Sequence, residues 1–266
     1  MTARPLTALR LRALDALDRV RGRTDPLVPP RRLRGTVGDS DFVATGDALA
    51  QLLVSDAGLA PGGRVLDIGC GIGRVARALP ARLGPEGSYA GFDVSAEAVR
   101  WCARRYARRH PAFEFTHLDV RNARYNPDGA VAARDVRFPY PDGDFDVAAA
   151  TSVFTHLPAD EVDRYLSEVA RVLRPGGRLL ATFFLLDAGA RERLRAGATA
   201  LAFPHEHWPA AFADAELPEA AVAYDEAWVL ERLAAHGLTP RGAPRRGTWS
   251  GATRDGGFQD VIVAAA

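Results

Sequence analysis

Residues 65–74 read Val-Leu-Asp-Ile-Gly-Cys-Gly-Ile-Gly-Arg. The run Val65–Ile68 is short, apolar and partly β-branched, as suits a strand buried in a parallel sheet. Gly69, Gly71 and Gly73 then strip side chains from a turn. Ile72, Val75, Ala76 and Leu79 follow at the spacing of a buried helix face. A strand, a glycine turn and a helix in this order let backbone approach a flat nucleoside closely. Asp67 adds a carboxylate at the carboxyl end of the strand. It would repel a pyrophosphate lying there and suits a ligand with a positive charge and a free amino group.

The spacing discriminates further. A dinucleotide fingerprint, G-x-G-x-x-G, needs glycine at position 74, where this chain has Arg74. One helix downstream, Tyr89-Ala90-Gly91-Phe92-Asp93-Val94-Ser95 is an alternating run ending in an acid. In a βαβ unit that acid stands at the neighbouring strand tip, facing ribose hydroxyls. Ser95, followed by Glu97, supplies the helix cap instead. Phe113 to Val120 is a further strand ending in an acid, Asp119. Phe138 to Val147 runs on to Thr151-Ser152-Val153-Phe154-Thr155-His156-Leu157, and Leu173-Arg174-Pro175-Gly176-Gly177-Arg178-Leu179 reads as helix, turn and strand.

The pattern D-x-G-x-G-x-G resembles motif I of the class I S-adenosylmethionine-dependent methyltransferases, and the other segments are similar to that family in order and spacing across residues 62–186. The resemblance implies an α/β fold: a Rossmann-like, seven-stranded, mostly parallel sheet of order 3-2-1-4-5-7-6. Strand 7 is antiparallel and helices cover both faces. It also implies S-adenosyl-L-methionine as cofactor, held by Asp67, Gly69, Cys70, Gly71, Gly73, Asp93, Val94, Asp119, Val120 and Thr151. In that family the acid matched by Asp119 accepts from the adenine amino group, and backbone at the Val120 position packs on the ring.

Composition bounds the rest. The 266 residues, 47% hydrophobic, suffice for one large α/β core. A net charge of +1 gives no global attraction to nucleic acid or membrane. Two cysteines, Cys70 and Cys102, are too few for a disulfide framework and fit a reducing compartment. No apolar run has the length of a membrane span, so a cytoplasmic protein is expected. All 34 basic side chains are arginine, which excludes a Schiff-base lysine, a P-loop lysine and a Tyr-x-x-x-Lys dyad.

Three regions are expected: a helical extension over 1–40, a methyltransferase domain over 41–266, and within it an acceptor-side cap over 187–223. Leu6, Leu9, Leu14, Leu17 and Val20 sit at helical spacing before Pro26, Pro29 and Pro30. The arginine excess of this extension reads either as a lid over an anionic acceptor or as a solvated helix face. A helix over 42–60 precedes the first strand, and the long connection from Val120 to Asp144 holds a turn at Tyr125–Gly129. The fifth strand is expected over 179–185, a last helix over 224–236 ended by Gly237, and strands six and seven over 241–250 and 257–263.

A sulfonium methyl needs a nucleophile held in line with the S–C bond and water kept out. A hydroxyl acceptor also benefits from a base. Candidates are His156, just past strand four, and His205, Glu206, His207 and Tyr224; catalytic roles are assigned to His156, His205 and His207. Tyr125, Phe154, Trp208 and Tyr224 are assigned to acceptor binding. Two histidines at i, i+2 without a third ligand make no metal site, so none is assigned. Thr151–Phe154 lacks the Asn/Asp-Pro-Pro-aromatic signature of base and glutamine methyltransferases, and no Pro-Cys nucleophile is present. Arg100, Arg104, Arg105, Arg108 and Arg109 line one helix as a solvated face, and no RNA-binding module is appended. The expected partner is a small-molecule acceptor, a sugar or specialised metabolite methylated on oxygen or nitrogen, with the chain a monomer or homodimer. Two alternatives stay open: an RNA or protein methyltransferase, and a non-catalytic cofactor-binding regulator.

Overall fold

A computed structural model describes residues 11, 13–17, 25–35, 41–106, 108–254 and 256–266. The decisive decamer forms the centre of the sheet. Strand β1 (Arg64–Ile68) is fully buried from Val65 to Ile68, because it pairs in parallel on both sides. Its neighbours are β2 (Ser88–Asp93) and β6 (Phe145–Ala150). Beyond β2 lies β3 (Phe113–His117); beyond β6 lie β7 (Leu173–Phe183), β13 (Asp260–Ala265) and the edge strand β12 (Thr239–Pro240). The β13 strand is antiparallel to β7. Counted in chain order within this sheet, the arrangement is 3-2-1-4-5-7-6 with strand 7 antiparallel, as expected. The strand order reverses between β1 and β6, and a ligand crevice opens at such a switch point, outside the carboxyl ends.

Helices cover both faces. On one, α1 (Phe42–Ser55), α2 (Arg74–Ala78) and α3 (Ala96–Tyr106) pack over Val65, Tyr89, Val147 and Leu180. On the other, α4 (Ala159–Val172) buries Val162, Leu166, Val169 and Val172 against Leu66, Phe92, Ala148 and Leu179. Asp41 caps α1 by accepting from Val43 and Ala44 N–H, both at 2.9 Å. The expected helix face Ile72, Val75, Ala76 and Leu79 is buried.

Several boundaries differ from the sequence reading. The α1 helix stops at Ser55, not at residue 60. Strand five starts at Leu173 rather than Leu179, because the Pro-Gly-Gly stretch bulges out of a continuous strand: Phe145 faces Leu173, whereas Val147 faces Arg178. Tyr224 lies in β11 (Val222–Asp225), and the last helix, α6 (Glu226–Ala235), begins only after Asp225, which caps it. Strand six is the two-residue β12, so 241–250 is mostly loop with a 3-10 turn at Thr248–Ser250. Strand seven starts at Asp260, not at residue 257.

The segment expected as a cap is ordered. It holds α5 (Ala188–Arg195), β9 (His205–His207), β10 (Ala210–Phe212) and β11; with β8 (Leu185–Leu186) these strands form a second sheet, β8-β11-β10-β9. The connection after β3 carries a two-strand parallel pair, β4 (Val120–Arg121) and β5 (Val131–Ala132). Of the N-terminal leucine stripe, Leu6, Leu9 and Val20 lie outside the described residues. Leu14 and Leu17 are exposed. Leu33 instead packs with Phe42, Ile72 and Ala98, covering the start of the glycine-turn helix. No helix among the described residues is long and apolar enough to cross a membrane.

Candidate functional site

All three glycines of the turn have positive φ, 68° at Gly69, 51° at Gly71 and 77° at Gly73, a region that L side chains rarely enter. Gly69 is also sterically closed, since a Cβ there would lie 2.6 Å from Val153 Cγ2. The turn is tied to β2 at two points. Cys70 N–H donates to Phe92 O at 2.9 Å, and Gly71 N–H donates to Asp93 Oδ2 at 2.7 Å. The other oxygen of Asp93 accepts from Ser95 N–H at 2.8 Å, ordering the start of α3. Burial pushes the Asp93 carboxyl up, and the N–H groups of Ser95 and Gly71 oppose that. Cys70 and Cys102 are buried free thiols, both pushed up by burial.

Asp67 is 1% exposed. Its Oδ2 accepts from the Tyr89 hydroxyl at 2.7 Å. Its Oδ1 is buried and has no hydrogen-bond partner among the described residues. Burial raises its pKa to about 7, against the Tyr89 hydrogen bond and with the Asp93 charge adding to the rise. A buried carboxylate oxygen without a donor is costly, and this one lies at the strand end beside the glycine turn. A ligand ammonium fits it chemically.

Asp119 is exposed; Asn126 Nδ2–H donates to its Oδ1 at 3.0 Å and holds its pKa down. Val120 is buried and Val94 half-buried, with Val94 O against His117 Nε2 at 3.2 Å. Thr151, just past the end of β6, is half-buried. Ser152, next to it, has φ 57°, the one non-glycine residue in that region among the described residues. Ser152 N–H donates to Thr182 Oγ1 at 2.7 Å, and both hydroxyls bond Gln259 Oε1, at 2.9 and 2.6 Å. Strain of this sort persists where surrounding bonds over-determine it, and it gathers at functional sites.

The acceptor-side candidates separate. His156 is half-buried and T-shaped against Tyr125, with ring centroids 5.5 Å apart. Its Nδ1 lies 2.8 Å from Glu219 O. A carbonyl only accepts, so Nδ1 carries the proton and the neutral ring's lone pair is on Nε2. Burial lowers the His156 pKa, keeping the ring neutral. Asn122 Nδ2–H donates to His156 O at 3.1 Å, and Ala123 N–H to Glu219 Oε1 at 3.3 Å. The second sheet's connection at 218–220 is thereby fastened over the β6 tip and the 122–126 turn. His205, Glu206 and His207 are exposed on the edge strand, and Trp208 is 74% exposed. Phe154 is buried and stacked on Phe183 at 5.0 Å. Tyr224 is also buried, its hydroxyl donating to Leu157 O. Thus Asp67, the three glycines, Cys70 and Asp93 come together at the turn, while His205, His207 and Trp208 stand apart on the second sheet.

Two concavities lie away from the turn. One, of about 210 Å³, is bounded by Arg64, Ser88 and Glu114; the other, about 460 Å³, lies between α5 and α6. The second is walled by Asp187 and Asp225, both occupied as helix caps.

Sequence reasoning missed Tyr89, Ser152, Thr182 and Gln259. Tyr89 reads as any strand aromatic, and Gln259 is over a hundred residues from Ser152. The usable signal was Gly91 inside an otherwise bulky strand, since such a glycine marks a close approach.

The sheet, its switch point and the glycine turn define a Rossmann-like α/β domain. Residues 65–177 match the profile of a family described as a methyltransferase domain. Phthiotriol/phenolphthiotriol dimycocerosates methyltransferase 1 of Mycobacterium ulcerans is 35% identical over 121 residues, 46% of this chain and 37% of that protein. Nocamycin O-methyltransferase of Saccharothrix syringae is 34% identical over 208 residues, 76% of this chain and 61% of that protein. The chain therefore spans between 37% and 61% of the length of these curated relatives. A Burkholderia thailandensis 1,6-didemethyltoxoflavin-N1-methyltransferase, solved with 1,6-didemethyltoxoflavin and S-adenosylhomocysteine, shares the fold. Its TM-score is 0.54 at 18% identity, over 100% of this chain and 91% of that one. Residues 65–177 are thus a methyltransferase domain of the class I S-adenosylmethionine-dependent kind.

Proposed function

We propose that this chain is an S-adenosylmethionine-dependent methyltransferase acting on oxygen or nitrogen of a small-molecule acceptor. The observation that carries the reading is the buried Oδ1 of Asp67, without a hydrogen-bond partner among the described residues, beside a positive-φ glycine turn. When bound, S-adenosylmethionine supplies a methyl group on a sulfonium, already electrophilic. Asp67 takes the ligand's ammonium, Asp93 its ribose hydroxyls, and Asp119 with Val120 its adenine. The roof formed by 218–220 on His156 shields the tip of β6 from water. His156, neutral and with its lone pair on Nε2, accepts the proton of a hydroxyl acceptor. Tyr125, exposed at the same edge, is the aromatic wall for the acceptor. The relatives named above for oxygen and nitrogen methylation of small molecules support this acceptor class. The N-terminal extension, the catalytic domain over 41–266 and the acceptor-side role of 187–223 belong to this proposal.

The test is transfer from methyl-labelled S-adenosylmethionine into fractionated extract. Label in the small organic fraction is the expected result. Label in RNA or protein replaces the acceptor class, and binding without transfer in any fraction makes the chain a cofactor-binding regulator.

A further inference from the structure

We propose that Tyr89 is a positioning residue for the cofactor site. Its hydroxyl holds the Asp67 carboxylate so that Oδ1 alone faces the ligand's ammonium, and Gly91 is the gap that admits the phenol. This rests on the reading of Asp67 given above.

The register explains the arrangement. Asp67 pairs with Gly91, and Val65 with Tyr89, across β1 and β2. A side chain opposite Asp67 would block the diagonal path: a Cβ on Gly91 would lie 2.7 Å from the Tyr89 hydroxyl and 2.8 Å from Cys70 Cβ. With none there, the phenol reaches Asp67 Oδ2 at 2.7 Å. The ring is held in place by Phe113, stacked at 5.0 Å, and Phe115 at 5.4 Å. Tyr89 is itself 1% exposed, and burial with the Asp67 charge pushes its pKa well up, so it remains a donor. The titratable groups around Asp67 are Tyr89, Asp93 and the neutral thiols of Cys70 and Cys102. On the β6 side its strand partner is Ala149. No arginine is bonded to Asp67 among the described residues, so Tyr89 is the donor that stabilises its charged form.

The consequence is a linkage between proton and ligand. A protonated Asp67 cannot pair with an ammonium, so affinity rises with pH as the carboxyl ionises. Losing the Tyr89 hydroxyl leaves the proton held more tightly. A hydrogen bond to a charged group has the strength to move that ionisation by about one to two pH units.

The experiment uses the full chain as wild type, Tyr89→Phe, Gly91→Ala and Asp67→Asn. S-adenosylhomocysteine affinity is measured by calorimetry from pH 6 to 8.5, and the Asp67 carboxyl is titrated by ¹³C NMR without ligand. The alkaline limb from the ligand's own amine is common to all variants. The expected result is an acid limb moved up by about one to two units in Tyr89→Phe, with affinity roughly tenfold or more weaker at pH 7. The ¹³C midpoint moves the same way, Gly91→Ala shifts in the same direction, and Asp67→Asn loses the limb. A merely structural tyrosine would lower the melting temperature and leave both profiles in place. Wild-type binding with an unmoved limb and midpoint in Tyr89→Phe overturns this proposal alone. No wild-type binding at any pH overturns the cofactor reading and this proposal with it.

Discussion

Asp93 accepts from Gly71 N–H and Ser95 N–H with its two oxygens, so its loss is felt by the turn as well as by a ligand. Asp93→Ala leaves two N–H donors without their acceptor, at about 1–3 kcal/mol for each that is buried. It should lower both the melting temperature and S-adenosylhomocysteine affinity, the latter by roughly 10- to 150-fold. Calorimetry on the folded variant checks this, and unchanged affinity removes Asp93 from the site. Asp67 gives a second prediction, for the ligand-free protein. Burial lifts its carboxyl from 3.8 to about 7, so the folded state binds that proton more tightly than the unfolded one. The associated stability is present in full below about pH 4 and is lost as pH rises through 7. Asp67→Asn should therefore flatten the melting temperature between those values, and an unchanged slope would refute the assignment. At this scale the sequence was most readable where an acid ends an alternating run, as Asp93 does. It pointed to Asp67 but was silent on its bond to Tyr89, because that bond crosses two strands diagonally and depends on a third residue, Gly91, having no side chain.

The helix α4 fastens a stretch of extended chain to the sheet. Arg171 donates to Phe138 O at 3.0 Å and Tyr140 O at 2.8 Å, and pairs with Glu168 at 2.6 Å and Asp142 at 2.7 Å. Glu168, 2% exposed, accepts in turn from Phe138 N–H at 2.8 Å and pairs with Arg164 at 3.2 Å. Burial alone would raise the Glu168 carboxyl, but Arg171, the Phe138 N–H and Arg164 hold it below its ordinary 4.5. Its stabilisation is thus present above that value and lost as pH falls below it. Glu168→Ala, which leaves Arg171 half-paired, should cost about 3–5 kcal/mol in urea unfolding at pH 7. The gap to wild type should narrow toward pH 4, and an equal gap at both pH values would exclude the ion pair as its cause. The main-sheet order was legible because β1, β2 and β6 each lead on into a helix, in the order and spacing of the motifs, while β3 leads into the β4–β5 pair. The second sheet was not, since strands of two to four residues carry no usable period. Its pairing of Leu185 with Tyr224 also spans a helix and two other strands. The same shortage of local signal hid the bulge at 174–177, where Pro-Gly-Gly reads as a turn.

Across the whole molecule, the two sheets are joined at two named points. At one, Asp260 on β13 is 1% exposed and accepts from Leu185 N–H, Gly247 N–H and Trp249 Nε1–H at 2.8, 2.8 and 2.7 Å. At the other, His156 donates from Nδ1 to Glu219 O. His156 is therefore both a pin for the roof and the proposed base, and substitution by alanine removes the two together. Asparagine separates them, because its Nδ2 stands at the same position along the side chain as the imidazole Nδ1. His156→Asn can keep the donor to Glu219 O, yet it has no group in place of Nε2. The expected outcome is native-like hydrogen-exchange protection at 218–220 and 122–126 in His156→Asn, with turnover lowered by about 10²–10⁴-fold in the label-transfer assay. His156→Ala should lose the protection as well as the turnover, while S-adenosylhomocysteine affinity changes little in either variant. The acid limb of the rate profile, which burial shifts below the ordinary imidazole value of 6.5 by lowering the His156 pKa, should disappear in both, because the titrating base is gone. Near-wild-type turnover in His156→Asn would leave His156 a pin alone and assign proton removal to another group.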